Sequence, residues 1–240
     1  MIARLLHRRG VYLPTNASQF PTRAQLPEQK GLIGVSEPRG ANKHETRRER
    51  TRFRGQLLED PRRKAALDAA LAEQALACVD HFGATGRAVA AYNPLSSEPG
   101  PDDLPDRLAV RASKVWLPIS LPAGELAWAL HGQSGVPGAL GITEPAGARF
   151  NSNVLRSCAL LLVPALAVDR GGMRLGKGAG YYDRALACLP RPAAPVVAVV
   201  YDEDIIERVP HDAHDVPVDA VVTPSGFFTV RGNRGGASRV

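Results

Sequence analysis

Four short apolar runs, "SKVWLPI" (113–119), "CALLLVPALAV" (158–168), "PVVAVVYD" (195–202) and "VDAVVTP" (218–224), carry Val, Leu, Ile and Ala without a polar residue at every second position. A strand wetted on one face alternates apolar with polar, whereas a strand buried on both faces has no reason to. A fifth run, "GRAVAAYNP" (86–94), has the same character, and Gly, Pro, Asp or Asn bounds each of them. The stretches between the runs are long enough to cross back over a sheet, which parallel strands require. The pattern predicts an α/β fold: a three-layer, Rossmann-like open sheet, mainly parallel, with helices on both faces. A chain of 240 residues, 44% of them apolar, can bury one sizeable core, and it shows no internal repeat.

Charge divides the chain unevenly. Residues 1–54 hold 12 Lys and Arg against 4 Asp and Glu, while residues 55–240 hold 18 against 20, so the formal net charge of +6 resides in the N-terminal part. Residues 1–44 mix Pro, Gly, Gln, Asn and Arg without a sustained apolar period, a composition that does not repay the entropy of ordering. They are expected to form a disordered basic tail, followed by a single α/β domain over 45–230 and a disordered end over 231–240. From residue 45 onward Leu57, Leu58, Leu67, Leu71, Ala75 and Cys78 recur at helical spacings, with Pro61 dividing two helices or opening the second. Three scattered cysteines with no CxxC pair, no apolar run of 18 residues and no secretory leader point to a reduced cytoplasmic protein without membrane or nucleic-acid partners. A monomer is expected.

The glycine-rich stretch "DRGGMRLGKGAGYYDR" (169–184) follows one of the apolar runs and leads into the apolar-periodic "YYDRALACL". In open α/β sheets ligands gather at the carboxyl ends of strands, where glycines let backbone N–H groups approach phosphate oxygens and cations such as Arg174 and Lys177 add charge. A polyphosphate is the guest this chemistry suits. Gly171 to Lys177 fits GxxxxGK, but Gly178 stands where a P-loop carries Ser or Thr, and "GKGAG" falls short of GxGxxG.

The whole string R-L-G-x-G-x-G-Y-Y-D-R resembles the signature of the 5-formyltetrahydrofolate cyclo-ligase family, also called methenyltetrahydrofolate synthetases. "RTRFRGQL" (50–57), "AYNPLSSEP" (91–99), "VWLP" (115–118), "GITEP" (141–145) and "VPHDAHDVPVDAVVTP" (209–224) are similar to further segments of that family, in the same order. The resemblance implies conversion of 5-formyltetrahydrofolate and ATP into 5,10-methenyltetrahydrofolate, ADP and phosphate, with Mg²⁺ as cofactor. The formyl oxygen attacks the γ-phosphate, N10 attacks the activated carbon, and phosphate departs. No protein nucleophile is needed, so catalysis rests on in-line placement and on cations around the transferring group.

On this resemblance Arg174, Leu175, Gly176, Lys177, Gly178, Ala179 and Gly180 would hold the ATP phosphates, and Arg50 and Arg54 would close over the nucleotide from the N-terminal helix. Asp183 and Asp215 would bind Mg²⁺. Tyr181 and Tyr182 would line the junction of formyl group and γ-phosphate, with Arg174, Tyr181 and Tyr182 as the catalytic set. Glu98 would accept hydrogen bonds from the pterin, with Ile142, Pro145 and Tyr181 beside it. Two positions depart from the family: Ala179 stands where relatives carry Lys or Gly, and Arg50 where Lys is common. Two alternatives follow from parts of the same sequence: a sugar-phosphate enzyme on a related α/β fold, or a nucleic-acid binder using the basic N-terminus. Neither accounts for the full string.

Overall fold

The computed structural model describes residues 42–132, 135–137, 143–145, 147–187, 189, 194–212 and 215–230. In chain order the elements are α1 (Lys43–Leu58), α2 (Pro61–His81), β1 (Ala88–Ala90), α3 (Leu104–Ala109), β2 (Lys114–Ser120), β3 (Leu126–Leu130), β4 (Gly135–Pro137), β5 (Thr143–Pro145), β6 (Leu160–Pro164), β7 (Ala167–Asp169), β8 (Arg174–Leu175), α4 (Tyr181–Ala187), β9 (Val196–Val199), β10 (Ile205–Ile206), β11 (Ala220–Thr223) and β12 (Gly226–Thr229).

Seven strands form the main sheet in the order β12-β11-β9-β6-β1-β2-β3. The five inner strands run parallel, and β12 and β3 close the two edges antiparallel. Burial on both faces explains the unalternating runs. Leu160 and Leu162 pack in one cluster with Leu71, Ala75 and Val79 of α2, while Leu161 packs with Trp128 and Ala185, and Val163 with Val168 and Val221. Each such side chain contributes about 1.5–3 kcal/mol from the area it removes from water. The layers are therefore α2 and α3, the sheet, and on its far face α4 with the small sheet β10-β7-β8.

One expected strand is two. The run 158–168 leaves the main sheet after Pro164: the Ala165 N–H still donates to Val199 O at 3.4 Å, but the Leu166 N–H donates to Leu175 O at 2.7 Å. The chain is thereby handed from β9 to β8, which aims the glycine-rich segment at the sheet's carboxyl end. Residues 86–94 form strand only at Ala88–Ala90.

Local signals set the helix starts. Pro61 occupies the first turn of α2, where its missing N–H costs nothing, and Asp60 caps that helix by accepting from the Arg63 N–H at 3.0 Å. Asn42 caps α1 by accepting from the Glu45 N–H at 2.9 Å, so α1 starts at Lys43, ahead of the boundary at 45 read from composition. A chain beginning at Asn42 is expected to keep its thermal midpoint. One beginning at Thr46 loses the cap and Lys43, and should melt about 2–4 °C lower for ~1 kcal/mol. Calorimetry of the two truncations checks this; a large drop in the first would show that residues 1–41 support the domain. Among the described residues no helix is long and apolar enough to cross a membrane.

Candidate active site

The sheet topology dictates where a ligand goes. From β1 the chain passes to β2 on one side, while β6 lies on the other, so a crevice opens beyond the carboxyl ends of β1 and β6. A cavity of about 510 Å³ occupies this place, within the range of small-molecule sites. Tyr92 and Asn93 after β1, and Ala165 and Leu166 after β6, form its base; the 176–180 loop, α1 and Glu98 wall it.

Asp169 sets the glycine-rich loop in place. Its Oδ1 accepts from the N–H groups of Gly171 (2.9 Å) and Met173 (3.0 Å), closing the β7–β8 hairpin, and its Oδ2 accepts from the Val209 N–H at 2.9 Å. Asp169 is thus the turn's organiser. The hairpin delivers Arg174 to the cavity, and the backbone then passes through φ +112° at Gly178 and +67° at Gly180, conformations open to glycine. Arg184 fastens the loop from behind, donating from Nη2 to Ala179 O at 2.6 Å and from Nε to Gly124 O at 2.8 Å.

Cations and carboxylates alternate around the cavity. Arg174, 9% exposed, donates from Nη1 to Val216 O at 2.8 Å and from Nη2 to Asp183. Lys177 Nζ lies 2.8 Å from Glu98 Oε1, whose other oxygen accepts from the Leu95 N–H at 3.0 Å. Lys43 Nζ sits between Asp212 Oδ2 (2.5 Å) and Asp215 Oδ2 (2.6 Å). Desolvation pulls the Lys43 ammonium down, but the two carboxylates together hold it above its ordinary value. Arg47 Nε donates to Gly176 O at 3.0 Å, which uses one of a guanidinium's five N–H donors. Burial first, and then the charge of Glu98, push the Tyr182 phenol well up against the opposing charge of Arg174, so it remains a neutral O–H donor.

Most of the residues singled out from the sequence converge here. Leu175, Gly176, Gly178, Ala179, Gly180, Tyr181 and Tyr182 line the cavity together with Arg174, Lys177, Asp183, Glu98 and Asp215. Arg54 reaches it from below, buried in an ion pair with Asp204 (Nη2–Oδ2 2.8 Å) and donating to Ala165 O at 2.6 Å. Arg50 does not line it: its Nη1 donates to Glu203 O at 2.8 Å and its Nη2 to Glu49. At 100° per residue Lys43, Arg47, Arg50 and Arg54 share one helix face within about 60°, and Arg47 and Arg50 mark its two margins. The first margin faces the glycine-rich loop and the second faces the 202–204 turn. Lys43, Arg47 and Asp212 were missed, although the 43-47-50-54 spacing carried the signal for the two cations. Pro145 belongs to strand β5 and Ile142 lies outside the described residues.

Nucleophilic chemistry by the described thiols is disfavoured. Burial pushes Cys78 and Cys158 up to about 12, so both stay protonated. His211 turns Nδ1 to Val209 O at 2.9 Å, within its own loop.

The sequence model of the 5-formyltetrahydrofolate cyclo-ligase family matches residues 39–224. The chain belongs to this family. The match begins just before α1 and ends after β11, so it contains every residue that lines the cavity. The 5-formyltetrahydrofolate cyclo-ligase of Mycolicibacterium smegmatis is 38% identical over 61% of this chain and 79% of its own length. That of Escherichia coli K12 is 33% identical over 57% of this chain and 78% of its own. The solution structure of Aquifex aeolicus 5,10-methenyltetrahydrofolate synthetase superposes with a TM-score of 0.60 at 31% identity, covering 80% of this chain and 94% of that one. The Mycoplasma pneumoniae synthetase, at 20% identity and a TM-score of 0.59, shares the fold. In this chain the basic first helix and the glycine-rich loop meet at one cavity, joined by the Arg47 hydrogen bond to Gly176 O.

Proposed function

We propose that the chain catalyses the ATP- and Mg²⁺-dependent cyclisation of 5-formyltetrahydrofolate to 5,10-methenyltetrahydrofolate, releasing ADP and phosphate. The observation that carries this reading is the 2.8 Å contact between Lys177 and Glu98. It joins a cation of the glycine-rich loop to the carboxylate expected to face the pterin, which supports a site where formyl oxygen and γ-phosphate are brought together.

On this reading Arg174, Lys177 and the loop N–H groups hold the phosphates from one wall, and Lys43 and Arg47 hold them from α1. Arg54 stands behind as support for the base, because Asp204 and Ala165 O already engage it. Tyr181 and Tyr182 stand at the junction, with the neutral Tyr182 phenol able to donate to an oxygen on which negative charge grows. Binding both substrates in line converts two encounters into one, and the cations spread the charge of the moving phosphoryl group. The formyl oxygen leaves as part of phosphate while N10 closes the ring and loses its proton.

The donor set suits Mg²⁺. Asp183 and Asp215 supply hard carboxylate oxygens on the cavity's rim, and among the described residues no three His, Cys, Asp or Glu side chains converge into a cage of their own. Mg²⁺ is commonly held by one or two carboxylates with substrate phosphates and water completing the shell. When bound, it would neutralise charge on the β- and γ-phosphates. Each carboxylate on the rim is balanced by a lysine or arginine, and a metal–polyphosphate pair offers each of those partners a replacement of the right sign.

The turning of Lys43, Arg47 and Arg54 toward the cavity supports a small-molecule role for the basic helix over a nucleic-acid one. Incubation of the protein with 5-formyltetrahydrofolate and Mg-ATP is expected to raise the near-ultraviolet absorbance of the methenyl product, with no rise when ATP is omitted. A flat trace in the complete mixture would overturn the proposal.

A further inference from the structure

Segment 94–100 carries Glu98 into the cavity without forming a helix or strand. Its tip is nonetheless held by side chains from three other places in the chain. Tyr92 Oη donates to Pro99 O at 2.5 Å; Lys64 Nζ donates at 3.4 Å to Glu98 O, which is also the longer branch, at 3.3 Å, of the single Tyr201 O–H; and the Gly100 N–H donates to Asp68 Oδ1 at 3.0 Å. Asp68 of α2 is the hub. Its Oδ1 also accepts from Tyr201 Oη at 2.7 Å, and its Oδ2 pairs with Lys64 Nζ at 2.5 Å. Burial, and then the Asp68 carboxylate, push the Tyr201 phenol up, which keeps it a donor.

Asp68 is 5% exposed. Replacing both members of a buried ion pair by apolar side chains is often neutral in stability, because desolvating the two charges offsets most of their attraction, whereas removing one member strands the other. What a carboxylate adds at this point is direction. It fixes Gly100 and Tyr201 together, the Tyr201 hydroxyl so held lies 3.3 Å from the carbonyl of Glu98 and shares its proton with it, and the Glu98 side chain is left with Oε2 on the Leu95 N–H and Oε1 toward Lys177. Tyr201 also ties this segment to the phosphate side, since its N–H donates at 3.3 Å to Asp204 Oδ2, the partner of Arg54.

We infer that Asp68 and Tyr201 are positioning residues for Glu98, fixing its carboxylate where the pterin is to be read. The inference rests on the reading of Glu98 as the folate-side carboxylate. Neither residue lines the cavity, so each acts through Glu98 and the backbone that carries it.

The test is a double-mutant cycle of Tyr201→Phe with Glu98→Ala, with KM measured separately for folate and ATP and thermal midpoints for every variant. Tyr201→Phe is expected to raise the folate KM about tenfold, the scale of one or two lost buried hydrogen bonds, and to leave the ATP KM within about twofold. In the Glu98→Ala background it should add less than about twofold, because no carboxylate remains to be positioned. Asp68→Leu should raise the folate KM as Tyr201→Phe does, and Asp68→Asn, which keeps an acceptor for Gly100 and Tyr201, should recover most of the loss. A purely structural role would lower the fraction of active enzyme, and with it apparent kcat, while leaving KM in place. A wild-type folate KM in Tyr201→Phe or in Asp68→Leu overturns the inference, as does a Tyr201→Phe effect of full size without Glu98. If Glu98→Ala alone leaves the folate KM unchanged while Tyr201→Phe raises it, the folate-side reading of Glu98 falls instead.

Discussion

Replacing Arg174 with alanine is expected to lower kcat roughly 10²–10³-fold, the scale on which one preorganised electrostatic donor contributes to a transition state. The side chain is buried, fastened at Val216 O and at Asp183, and presented on the cavity wall beside the glycine-rich loop. It therefore needs little reorganisation when charge shifts onto the transferring group. Arg174→Lys should recover only part of the rate, since a compact ammonium cannot span the carbonyl, the carboxylate and a phosphate at once. Arg54→Ala is predicted to behave differently. Its removal leaves Asp204, 0% exposed, without its cation, at a cost of ~3–5 kcal/mol, so the loss should appear first in the unfolding midpoint. Arg47→Ala, on a side chain bonded only through Nε to Gly176 O among the described residues, should raise the KM for ATP with little effect on stability. Steady-state kinetics read beside thermal midpoints separate the three. Wild-type kinetics in Arg174→Ala, or activity lost only in proportion to folded protein, would remove Arg174 from the reaction.

The contrast between Arg174 and the α1 cations shows what kind of information the sequence held. The parallel sheet was legible because burial on both faces leaves its mark in every residue of Leu160–Val163. The edge strands β3 and β12 were not: β3 is buried over Leu126–Ala129 but is short, and two of its five residues are alanine, which carries little strand signal, while β12 is only partly buried. The break at Pro164 was hidden inside a continuous apolar run, where both new strands are buried and composition does not change. The glycine-rich loop could be read because its residues are contiguous, so spacing alone carries the chemistry. Lys43 and Arg47 meet partners more than a hundred residues away, Asp212 and Asp215 for the first and Gly176 O for the second. Helical spacing put four cations on one face, but only the packing of α1 against the loop and the 202–204 turn decided that Arg47 would enter the cavity and Arg50 would not.

The metal reading makes the sharpest demand on Asp215. Its Oδ2 holds the Lys43 ammonium at 2.6 Å and accepts from the Asp212 N–H at 2.8 Å, so the carboxylate is already oriented on the rim and already holds a cation. Asp215→Asn removes the charge and keeps the shape. If Asp215 holds Mg²⁺, the metal concentration for half-maximal rate should rise at least about tenfold, since a neutral amide does not balance a divalent ion, and turnover should fall on the order of 10²-fold. ATP binding without Mg²⁺ should move the opposite way: Lys43, held by Asp212 alone, is freer to meet phosphate, so metal-free ATP binds as tightly as to wild type or more so. Calorimetric titration of ATP with and without Mg²⁺ reads this change of sign, which a general loss of folding cannot produce. Asp183→Asn supplies the comparison. Asp183 shares an oxygen with Arg174 and is 43% exposed, so it can serve as a ligand to the metal or as a guide for the arginine. A shifted Mg²⁺ midpoint in Asp183→Asn assigns it to the metal; a reduced kcat at an unshifted midpoint assigns it to Arg174 and leaves Asp215 as the carboxylate on which the ion depends.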